Sequence, residues 1–169
     1  MKKILVLIFL LQLSLGFAQI KFDVKAVETF QKEINTEYAD AKTSPLMGND
    51  LATFTTLDFY PINEKFFVTA TFVRTEKEKP FGMKTSTERT QSYVKYGEVH
   101  FTIGGQSLKL NVYRNIELSK KKEFKDYLFL PFSDLSSGNE SYVGGKYIDL
   151  KIPKGKTIAI DFNTSYNPY

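Results

Sequence analysis

The strongest local constraint on the fold is the stretch from Gly97 to Arg114, where two runs of alternating polarity flank the pair Gly104-Gly105. Two consecutive glycines accept the positive φ angles that a two-residue hairpin turn requires. Because side chains on a strand alternate between its faces, counting outward from this turn pairs apolar with apolar and polar with polar residues. The predicted pairs are Phe101 with Leu108, Val99 with Leu110, Thr102 with Ser107 and His100 with Lys109. The sequence therefore predicts an antiparallel hairpin with one face toward a core.

Further strands are predicted on both sides of this hairpin. Phe66 to Arg74 is apolar on both faces, which is typical of a central strand. The charged stretch from Thr75 to Lys84 contains Pro80 and Gly82 and indicates a solvated loop. The last two strands are predicted to form a second hairpin across Pro153-Lys154-Gly155. The predicted strands outside the first hairpin are Leu57 to Tyr60, Phe66 to Arg74, Tyr127 to Phe132, Lys146 to Ile152 and Lys156 to Asn163.

The segment from Val24 to Tyr38 places apolar residues at spacings of three and four, with charged residues between them. This period predicts an amphipathic helix, and Asp23 is a suitable N-cap. We expect its apolar stripe to dock on the sheet; binding of a partner or of a membrane surface is the alternative, although mixed charges argue against lipid. The stripe consists of Val27, Phe30, Ile34 and Tyr38. The whole pattern predicts a mainly-β or α+β domain on an antiparallel sheet, a sandwich or partly open barrel with one N-terminal amphipathic helix.

The first eighteen residues have the pattern of an export signal. Lys2 and Lys3 form a charged start, Ile4 to Leu15 is apolar, and Ala18 ends a small-residue cleavage site. A membrane anchor is the alternative, but an apolar run of about twelve residues is shorter than the roughly twenty that a spanning helix needs. We therefore expect cleavage after Ala18 and a periplasmic or secreted protein. Residues 19–169 are then expected to form a single domain.

Composition argues against several functional classes. Removing Lys2 and Lys3 lowers the formal charge from +4 to +2, which is too small to indicate a nucleic-acid partner. The chain has no cysteine and one histidine, His100, so no disulfide, zinc site or other cofactor is predicted. A serine hydrolase would need a base, and the one histidine of the sequence, His100, is expected on the polar face of the hairpin. A serine hydrolase is therefore not favoured. The fifteen Phe and ten Tyr fit a β-rich core.

The polar stretch between Pro131 and Lys146 is the principal candidate for a site. Its glycines permit unusual backbone geometry, and its acidic, hydroxyl and amide groups could converge on a ligand. Three interpretations are open: a cradle for an anion or a sugar, a cation site that uses Asp134 and Glu140, or a structural loop held by its own side chains. The cation interpretation is incomplete, because the remaining ligands of a calcium loop are missing.

Two other sets of residues could supply chemistry. Arg89 with Tyr93 and Tyr96 could hold a carboxylate or a phosphate, although an arginine paired with an internal carboxylate is the simpler interpretation. Two carboxylates at the separation found in glycosidases would form an acid and a base. The four carboxylates considered for this role are Asp134, Glu140, Asp149 and Asp161.

Many short motifs follow one another along the chain. They are Ser44-Pro45-Leu46, Leu57-Asp58-Phe59-Tyr60-Pro61, Thr85-Ser86-Thr87, Arg89, Tyr93, Tyr96-Gly97, Leu110-Asn111-Val112-Tyr113, Leu130-Pro131-Phe132, Ser137-Gly138, Glu140, Tyr142, Gly144 to Leu150, Asp161-Phe162-Asn163 and Tyr166-Asn167-Pro168. In these motifs the chain resembles a bacterial family of exported proteins catalogued as domain of unknown function 1684, over nearly the whole mature chain. The resemblance implies no activity, substrate or cofactor.

The resemblance also implies a further segment with two cysteines and a final strand, whereas this sequence stops at Tyr169. We therefore expect either a truncated or frameshifted product or a member that lacks this segment. In both cases an unpaired sheet edge is expected near Thr157 to Asn163, and such an edge favours aggregation.

These observations favour an exported, non-catalytic domain that binds a ligand or associates with the envelope. The alternatives are a carboxylate-dependent hydrolase acting on glycans or another envelope substrate, and a damaged copy without activity. The expected partner is a small molecule, a glycan or an envelope component, with no nucleic acid and no membrane span after signal cleavage. No catalytic or metal-binding residue is assigned. The candidate ligand-binding residues are Arg89, Tyr93, Asp134, Ser136, Ser137, Gly138, Glu140, Tyr142, Gly144, Gly145, Tyr147, Asp149, Asp161, Asn163, Tyr166 and Asn167.

Overall fold

The computed structural model describes residues 20–84 and 90–167. The helices are α1 (Val24–Ala39) and α2 (Asn49–Ala52), and short 3₁₀ helices span Glu64–Phe66, Leu118–Lys120, Lys122–Phe124 and Phe162–Thr164. The strands are β1 (Phe67–Arg74), β2 (Phe81–Lys84), β3 (Thr90–Ile103), β4 (Gln106–Asn115), β5 (Tyr127–Phe132), β6 (Lys146–Lys151) and β7 (Thr157–Asp161). The predicted export signal, the stretch from Thr85 to Arg89 and Pro168 lie outside the described residues.

The seven strands form one antiparallel sheet with the order β6-β5-β4-β3-β1-β7, and β2 pairs beside β1 along the same edge of β3. β6 and β7 are at opposite ends of this order, although only residues 152–156 separate them. A connection of that length reaches about 20 Å at most. The sheet therefore curls into a half-barrel that brings its two ends together. The predicted fold class, an antiparallel sheet with one N-terminal amphipathic helix, is confirmed, and of the two predicted arrangements, a sandwich or a partly open barrel, the structure has the partly open barrel.

The predicted register of the first hairpin is confirmed. Phe101 lies opposite Leu108 and Val99 opposite Leu110, and the two polar pairs of the prediction also match. Gly104 and Gly105 have φ angles of 57° and 80°, as a hairpin turn with positive φ requires. The strands continue beyond the predicted limits, because a bulge between Lys95 and Gly97 lets β3 begin at Thr90. Local turn chemistry was therefore sufficient to predict this pairing.

The second predicted hairpin, between Lys146 to Ile152 and Lys156 to Asn163, is wrong. β6 pairs with β5, and β7 pairs with β1, with Val68 opposite Ile160. The predicted alternation of inward-facing and outward-facing residues is correct, since Ile148, Ile158 and Ile160 are buried. Alternation identifies which face of a strand is buried, but it does not identify the neighbouring strand. Among the described strands, only β1 pairs with β7.

Two local predictions between α1 and β3 also fail. Leu57 to Tyr60 is not a strand: Leu57 N donates to Asn35 Oδ1 of α1 (2.8 Å), so a helix side chain takes the place of a sheet partner there. Part of the predicted loop from Thr75 to Lys84 is strand β2. Phe81 of β2 packs edge-on against the Tyr113 ring at 5.7 Å, and this aromatic contact helps to hold the short strand on the sheet.

The core occupies the inner face of the half-barrel, and all six strands along the sheet order contribute to it. Its buried residues are Val68, Ala70, Val99, Phe101, Val112, Leu128, Leu130, Ile148, Ile158 and Ile160. Helix α1 is confirmed, and Asp23 caps it by accepting a hydrogen bond from Lys25 N (2.9 Å). Helix α1 lies chiefly against the 3₁₀ turn Phe162–Thr164, and Val27, its buried stripe residue, is not part of the core cluster of the sheet. No helix of residues 20–84 and 90–167 is both long and apolar enough to cross a membrane.

The outer face of the hairpin carries a charged cluster around Glu98. The carboxylate accepts hydrogen bonds from Lys95 Nζ (2.7 Å) and Lys109 Nζ (3.3 Å), and His100 Nε2 lies 3.1 Å away. The hydrogen bonds from the two lysines lower the pKa of Glu98 from 4.5 to about 2. His100 therefore takes part in a surface charge cluster on the polar face, as the register predicted.

Candidate functional site

The C-terminal segment, residues 162–167, connects the two ends of the curled sheet. β7 ends at Asp161, whose Oδ1 accepts hydrogen bonds from Asn163 N (3.0 Å) and Asn163 Nδ2 (2.6 Å) and so caps the following 3₁₀ turn. Tyr166 then exchanges two backbone hydrogen bonds with Tyr147 of β6, at 2.8 and 3.1 Å. Residues that are paired directly in this way share a face of the sheet. Tyr166 is therefore placed beside Tyr147 on the outer face.

Asp149 of β6 is held on this outer face by two tyrosine hydroxyls. Tyr127 Oη donates to Asp149 Oδ1 at 2.7 Å, and Tyr166 Oη donates to the same oxygen at 3.0 Å. Burial of the two phenols, together with the nearby carboxylate, raises the pKa of both tyrosines far above the ordinary value of 10.0. Both hydroxyls therefore stay protonated and fix one oxygen of Asp149, while the residue itself is exposed to solvent.

A row of aromatic rings continues across the outer face beside Asp149. Tyr93 packs on Phe129 with ring centroids 5.8 Å apart, Phe129 packs on Tyr147 at 4.7 Å, and Tyr147 packs on Tyr166 at 6.0 Å. Strand register explains the row, because Phe129 lies directly opposite Asp149 in the β5–β6 ladder. Three tyrosines that the sequence offered as separate candidates thus form one cluster.

The first of two grooves lies between α1 and Asp149, and we call it the helix groove. It has a volume of about 460 Å³. Glu33, Glu37 and Asp149 contribute three carboxylates to its walls, and no lysine or arginine is among its lining residues. The other lining residues are Phe30, Ile34, Tyr38, Thr43, Pro45, Tyr166 and Asn167. The helix groove is therefore acidic and partly aromatic.

The second groove lies beside the polar loop, and we call it the loop groove. It has a volume of about 610 Å³, and its carboxylates come from Asp58 and Glu140. Tyr60 Oη donates to Glu140 Oε2 at 3.2 Å, which joins the two sides of the groove. Its other lining residues are Tyr38, Leu57, Phe59, Tyr60, Pro61, Ser141, Ser165, Tyr166 and Asn167. Again no lysine or arginine is among the lining residues.

The wall of the loop groove is positioned by Asn163. Its side chain accepts a hydrogen bond from Asn63 N at 2.8 Å and donates one to Asn63 O at 3.0 Å. Asp161 in turn orients Asn163 through the two hydrogen bonds that cap the 3₁₀ turn. Asp161 and Asn163, both predicted site residues, therefore hold the irregular stretch that precedes Asn63 against the C-terminal segment.

The polar loop, residues 134–145, is organised around Lys146. The Lys146 ammonium is buried and donates to Asp134 Oδ1 (2.8 Å), Asp134 Oδ2 (2.9 Å) and Ser136 Oγ (2.6 Å). Partial burial raises the pKa of Asp134, but the hydrogen bonds from Lys146 and Ser136 outweigh this effect and leave the pKa below its ordinary value. Of the three interpretations given above, these contacts support the structural loop. The carboxylate that a cation would need is already bound to an ammonium.

Backbone contacts close the same loop. Ser137 and Ser141 form a β-bridge, and Gly138 N donates to Ser141 O at 2.9 Å. Gly145 has a φ of 93°, and a Cβ atom there would lie 2.4 Å from the Phe132 carbonyl oxygen, so only glycine fits. The remaining loop candidates, Tyr142 and Gly144, are exposed.

The predicted group of Arg89, Tyr93 and Tyr96 does not form one site in the described residues. Arg89 lies outside them. Tyr93 belongs to the outer aromatic row, whereas Tyr96 lies at the bulge of β3 and packs toward the core, with its ring 6.2 Å from that of Phe72. Two other arginines lie over the Tyr96 ring: the guanidinium carbon of Arg74 is 3.8 Å from the ring centroid, and that of Arg114 is 5.7 Å away. Tyr93 and Tyr96 thus have different surroundings.

The structure brings only part of the predicted set together. Glu140, Asp149, Tyr166 and Asn167 line the two grooves, and Tyr93 and Tyr147 belong to the adjoining aromatic row. The other predicted residues of the polar loop hold that loop together or lie on its surface. Sequence reasoning missed Tyr127 and all the contributions of α1 and of the stretch before β1. The missed lining residues with polar or aromatic side chains are Phe30, Glu33, Glu37, Tyr38, Thr43, Asp58, Phe59, Tyr60, Ser141 and Ser165.

A signal existed for only some of these missed residues. Tyr127 is two positions from Phe129, so strand alternation places it on the face of Asp149. The glutamates of α1 were indistinguishable from an ordinary solvated helix face, because nothing in their spacing indicates what lies across from them. Among residues 20–84 and 90–167, no three or more His, Cys, Asp or Glu side chains are grouped so that they could hold a metal ion.

Fold and site together define a class of protein: a curled antiparallel half-barrel whose C-terminal segment and N-terminal helix border two acidic, tyrosine-lined grooves. The chain belongs to the family described as Protein of unknown function (DUF1684), whose model matches residues 52–169. Helix α1 precedes the matched residues.

Among solved structures, the chain is similar to an uncharacterized protein of Haloarcula marismortui determined by solution NMR. The two share 27% sequence identity, and the TM-score is 0.65. The similarity covers 85% of this chain and 77% of that one. A search of the curated proteins finds no match. The half-barrel is therefore shared with another protein whose description names no activity.

Proposed function

We propose that this chain is an exported, non-catalytic ligand-binding domain of the cell envelope or its surroundings. In this proposal, residues 1–18 are removed on export and the mature chain binds a polar ligand of neutral or positive charge in the helix groove and the loop groove. The observation that carries the proposal is the lining of these adjoining grooves. Each lies within the range of about 300–1,000 Å³ that is usual for small-molecule sites.

The charge of the grooves supports the choice of ligand. Among residues 20–84 and 90–167, five carboxylates and no lysine or arginine line the grooves, so an anionic ligand would be repelled and an amine would be attracted. The tyrosine rings provide flat surfaces that attract cations through their π faces. Their hydroxyls, together with Asn167, can exchange hydrogen bonds with the hydroxyl groups of a sugar. An amino sugar combines both properties.

The placement of the four candidate carboxylates bears on the hydrolase alternative. Asp134 is paired with Lys146, and Asp161 caps the 3₁₀ turn. Glu140 and Asp149 line different grooves. Glycoside hydrolysis needs two carboxylates that face one bond about 5–10 Å apart. Neither groove contains two of these four, so none of the carboxylate pairs considered from the sequence lines a single groove. This placement supports binding over hydrolysis by those pairs.

Calorimetric titration with three matched oligosaccharides tests the proposal. The probes are glucosamine oligomers with protonated amines, N-acetylglucosamine oligomers, which are neutral, and galacturonic acid oligomers, which are anionic. We expect binding to follow the order amine, neutral, anion, with no detectable binding of the anionic oligomer. Equal binding of the anionic probe, or no binding of any of the three, would overturn the proposal.

Variants test whether the ligand binds in the grooves. Asp149→Asn keeps the shape and the tyrosine hydrogen bonds but removes the charge, and we expect it to weaken the amine probe about tenfold, or about 1.4 kcal/mol. Glu117→Gln is the matched control, because Glu117 is exposed, forms an ion pair with Lys120 and is not among the described residues that line the grooves. Export is tested separately by the mass of the mature protein, which we expect to begin at Gln19.

A further inference from the structure

We propose that the helix groove and the loop groove are two halves of one elongated site, and that its ligand is a chain with repeated amino or hydroxyl groups rather than a single small molecule. This inference rests on the proposed binding function and specifies its ligand. It predicts that one ligand molecule contacts α1 at one end and the polar loop at the other.

The walls of the grooves carry the argument. Tyr38, Tyr166 and Asn167 line both grooves, so these three residues form the boundary that the grooves share. Asn167 is exposed and Tyr166 is half-buried, so the boundary does not close either groove off from the surface. A ligand that fills one groove therefore approaches the other across these side chains.

The boundary is also fixed in place, which a shared binding surface requires. Tyr166 is held through its backbone by Tyr147 and through its hydroxyl by Asp149. Tyr38 packs on the Phe54 ring with centroids 6.0 Å apart. A ligand that crosses the boundary thus meets two aromatic rings whose positions are set before it binds, and little ordering entropy is lost there.

The chemistry repeats on the two sides of the boundary. The helix groove presents Glu33, Glu37 and Asp149, and the loop groove presents Asp58 and Glu140. Aromatic rings accompany the carboxylates in both. A site that repeats the same pair of features along its length fits a ligand that repeats the same chemical unit. Oligosaccharides of amino sugars have this property, and simple metabolites with one charged group do not.

The length of the ligand is the variable that tests this inference. A series of glucosamine oligomers from the monomer to the hexamer is titrated calorimetrically into the mature chain. If the grooves act together, contact with the second groove becomes intramolecular once the first is filled, and affinity rises steeply with length. We expect the hexamer to bind at least about tenfold more tightly than the dimer, with one hexamer per protein molecule.

Two conservative variants show which grooves each ligand contacts. We expect both Asp149→Asn and Glu140→Gln to weaken the hexamer several-fold, whereas the dimer, which fills one groove, responds to only one of them. Circular dichroism of each variant establishes that it is folded, and Glu117→Gln again serves as the control.

The possible results separate this inference from the proposed function. Equal affinity for dimer and hexamer, or a hexamer that responds to only one of the two variants, overturns the elongated site and leaves the binding function intact. Failure of every oligomer to bind overturns both.

Discussion

Replacement of Lys146 by methionine tests whether the polar loop is a structural element. The Lys146 side chain is only 8% exposed, and its ammonium makes three hydrogen bonds, two to Asp134 and one to Ser136. Methionine keeps the length of the apolar stem but removes the charge and all three bonds. The loop residues then lose the group to which they are attached, while β6 keeps its backbone pairing with β5.

The expected loss of stability lies between two reference cases. Breaking a fully buried ion pair costs about 3–5 kcal/mol, whereas an exposed pair contributes about 0–1 kcal/mol. This pair is mixed, since Lys146 is buried and the Asp134 side chain is 49% exposed. Water can therefore replace the ammonium at Asp134 in the variant, which lowers the cost. We expect Lys146→Met to reduce the free energy of unfolding by about 1–2 kcal/mol.

Asp134→Asn should cost more than Lys146→Met, about 2–3 kcal/mol, because the ammonium stays buried and its acceptors, the amide oxygen of the new side chain and Ser136 Oγ, are then uncharged. The double variant should then be less destabilised than the sum of the two single variants, by about 1–2 kcal/mol. Urea unfolding followed by far-ultraviolet circular dichroism measures all three, since the chain has no tryptophan. Lys151→Met is the matched control, because Lys151 lies on the same strand but is exposed, and it should change stability by less than about 0.5 kcal/mol.

The pH dependence gives an independent check of the same contact. The pKa of Asp134 is lowered in the folded chain, so the pair stabilises the fold above the unfolded pKa of about 3.8 and ceases to do so as the pH falls through the lower folded value. The difference between wild type and Lys146→Met should therefore shrink below about pH 3.8. The structural role of the loop would be refuted if Lys146→Met were as stable as the wild type at neutral pH. It would also be refuted if the losses of stability in the two single variants were strictly additive in the double variant.

Three further substitutions or measurements test other parts of the structure. Tyr166→Phe removes one of the two hydroxyls on Asp149 and should lower stability by about 1 kcal/mol in urea unfolding; an unchanged midpoint would show that the bond is absent in solution. Gly145→Ala combines a positive φ with a clash against a backbone oxygen and should cost about 2 kcal/mol or more, whereas Gly155→Ala meets no atom within 4 Å and should be neutral or slightly stabilising. The Glu98 carboxyl should titrate near pH 2 in an NMR experiment; a midpoint near 4.5 would contradict the bonds to its two lysine partners.

Strand pairing shows what could be predicted and what could not. The register around Gly104 and Gly105 is determined within a few residues, because the turn and both strands are adjacent in the sequence. Each predicted residue pair must also agree in polarity with the next pair along the hairpin. β7 has an equally regular alternation, yet its partner is β1, far earlier in the chain. The alternation of buried and exposed residues in a strand is the same whichever strand lies beside it. It therefore gave no reason to prefer β1, and the strand nearest to β7 in sequence was the wrong partner to predict.

The candidate site also contains features that could be predicted from the sequence and features that could not. Glu140, Asp149, Tyr166 and Asn167, which were chosen from the sequence as ligand-binding candidates, line the two grooves. They were chosen because they lie in polar stretches at the ends of strands, where binding residues often occur. Asp134 belongs to the same kind of stretch but pairs with Lys146, whose burial the sequence did not reveal. The contribution of α1 could not be predicted, because it depends on where the helix docks.

The sequence by itself determined the elements of this protein: an amphipathic helix, an antiparallel hairpin with its register, and alternating strands with one apolar face. These follow from periodicity and turn chemistry, which act over a few neighbouring residues. Only the tertiary structure decided that the sheet curls, that Tyr166 pairs with Tyr147 across its open side, and that α1 and the polar loop border adjoining grooves. Those outcomes depend on contacts between residues far apart in the chain, and their free energy comes from the packing of all the elements together rather than from any one segment.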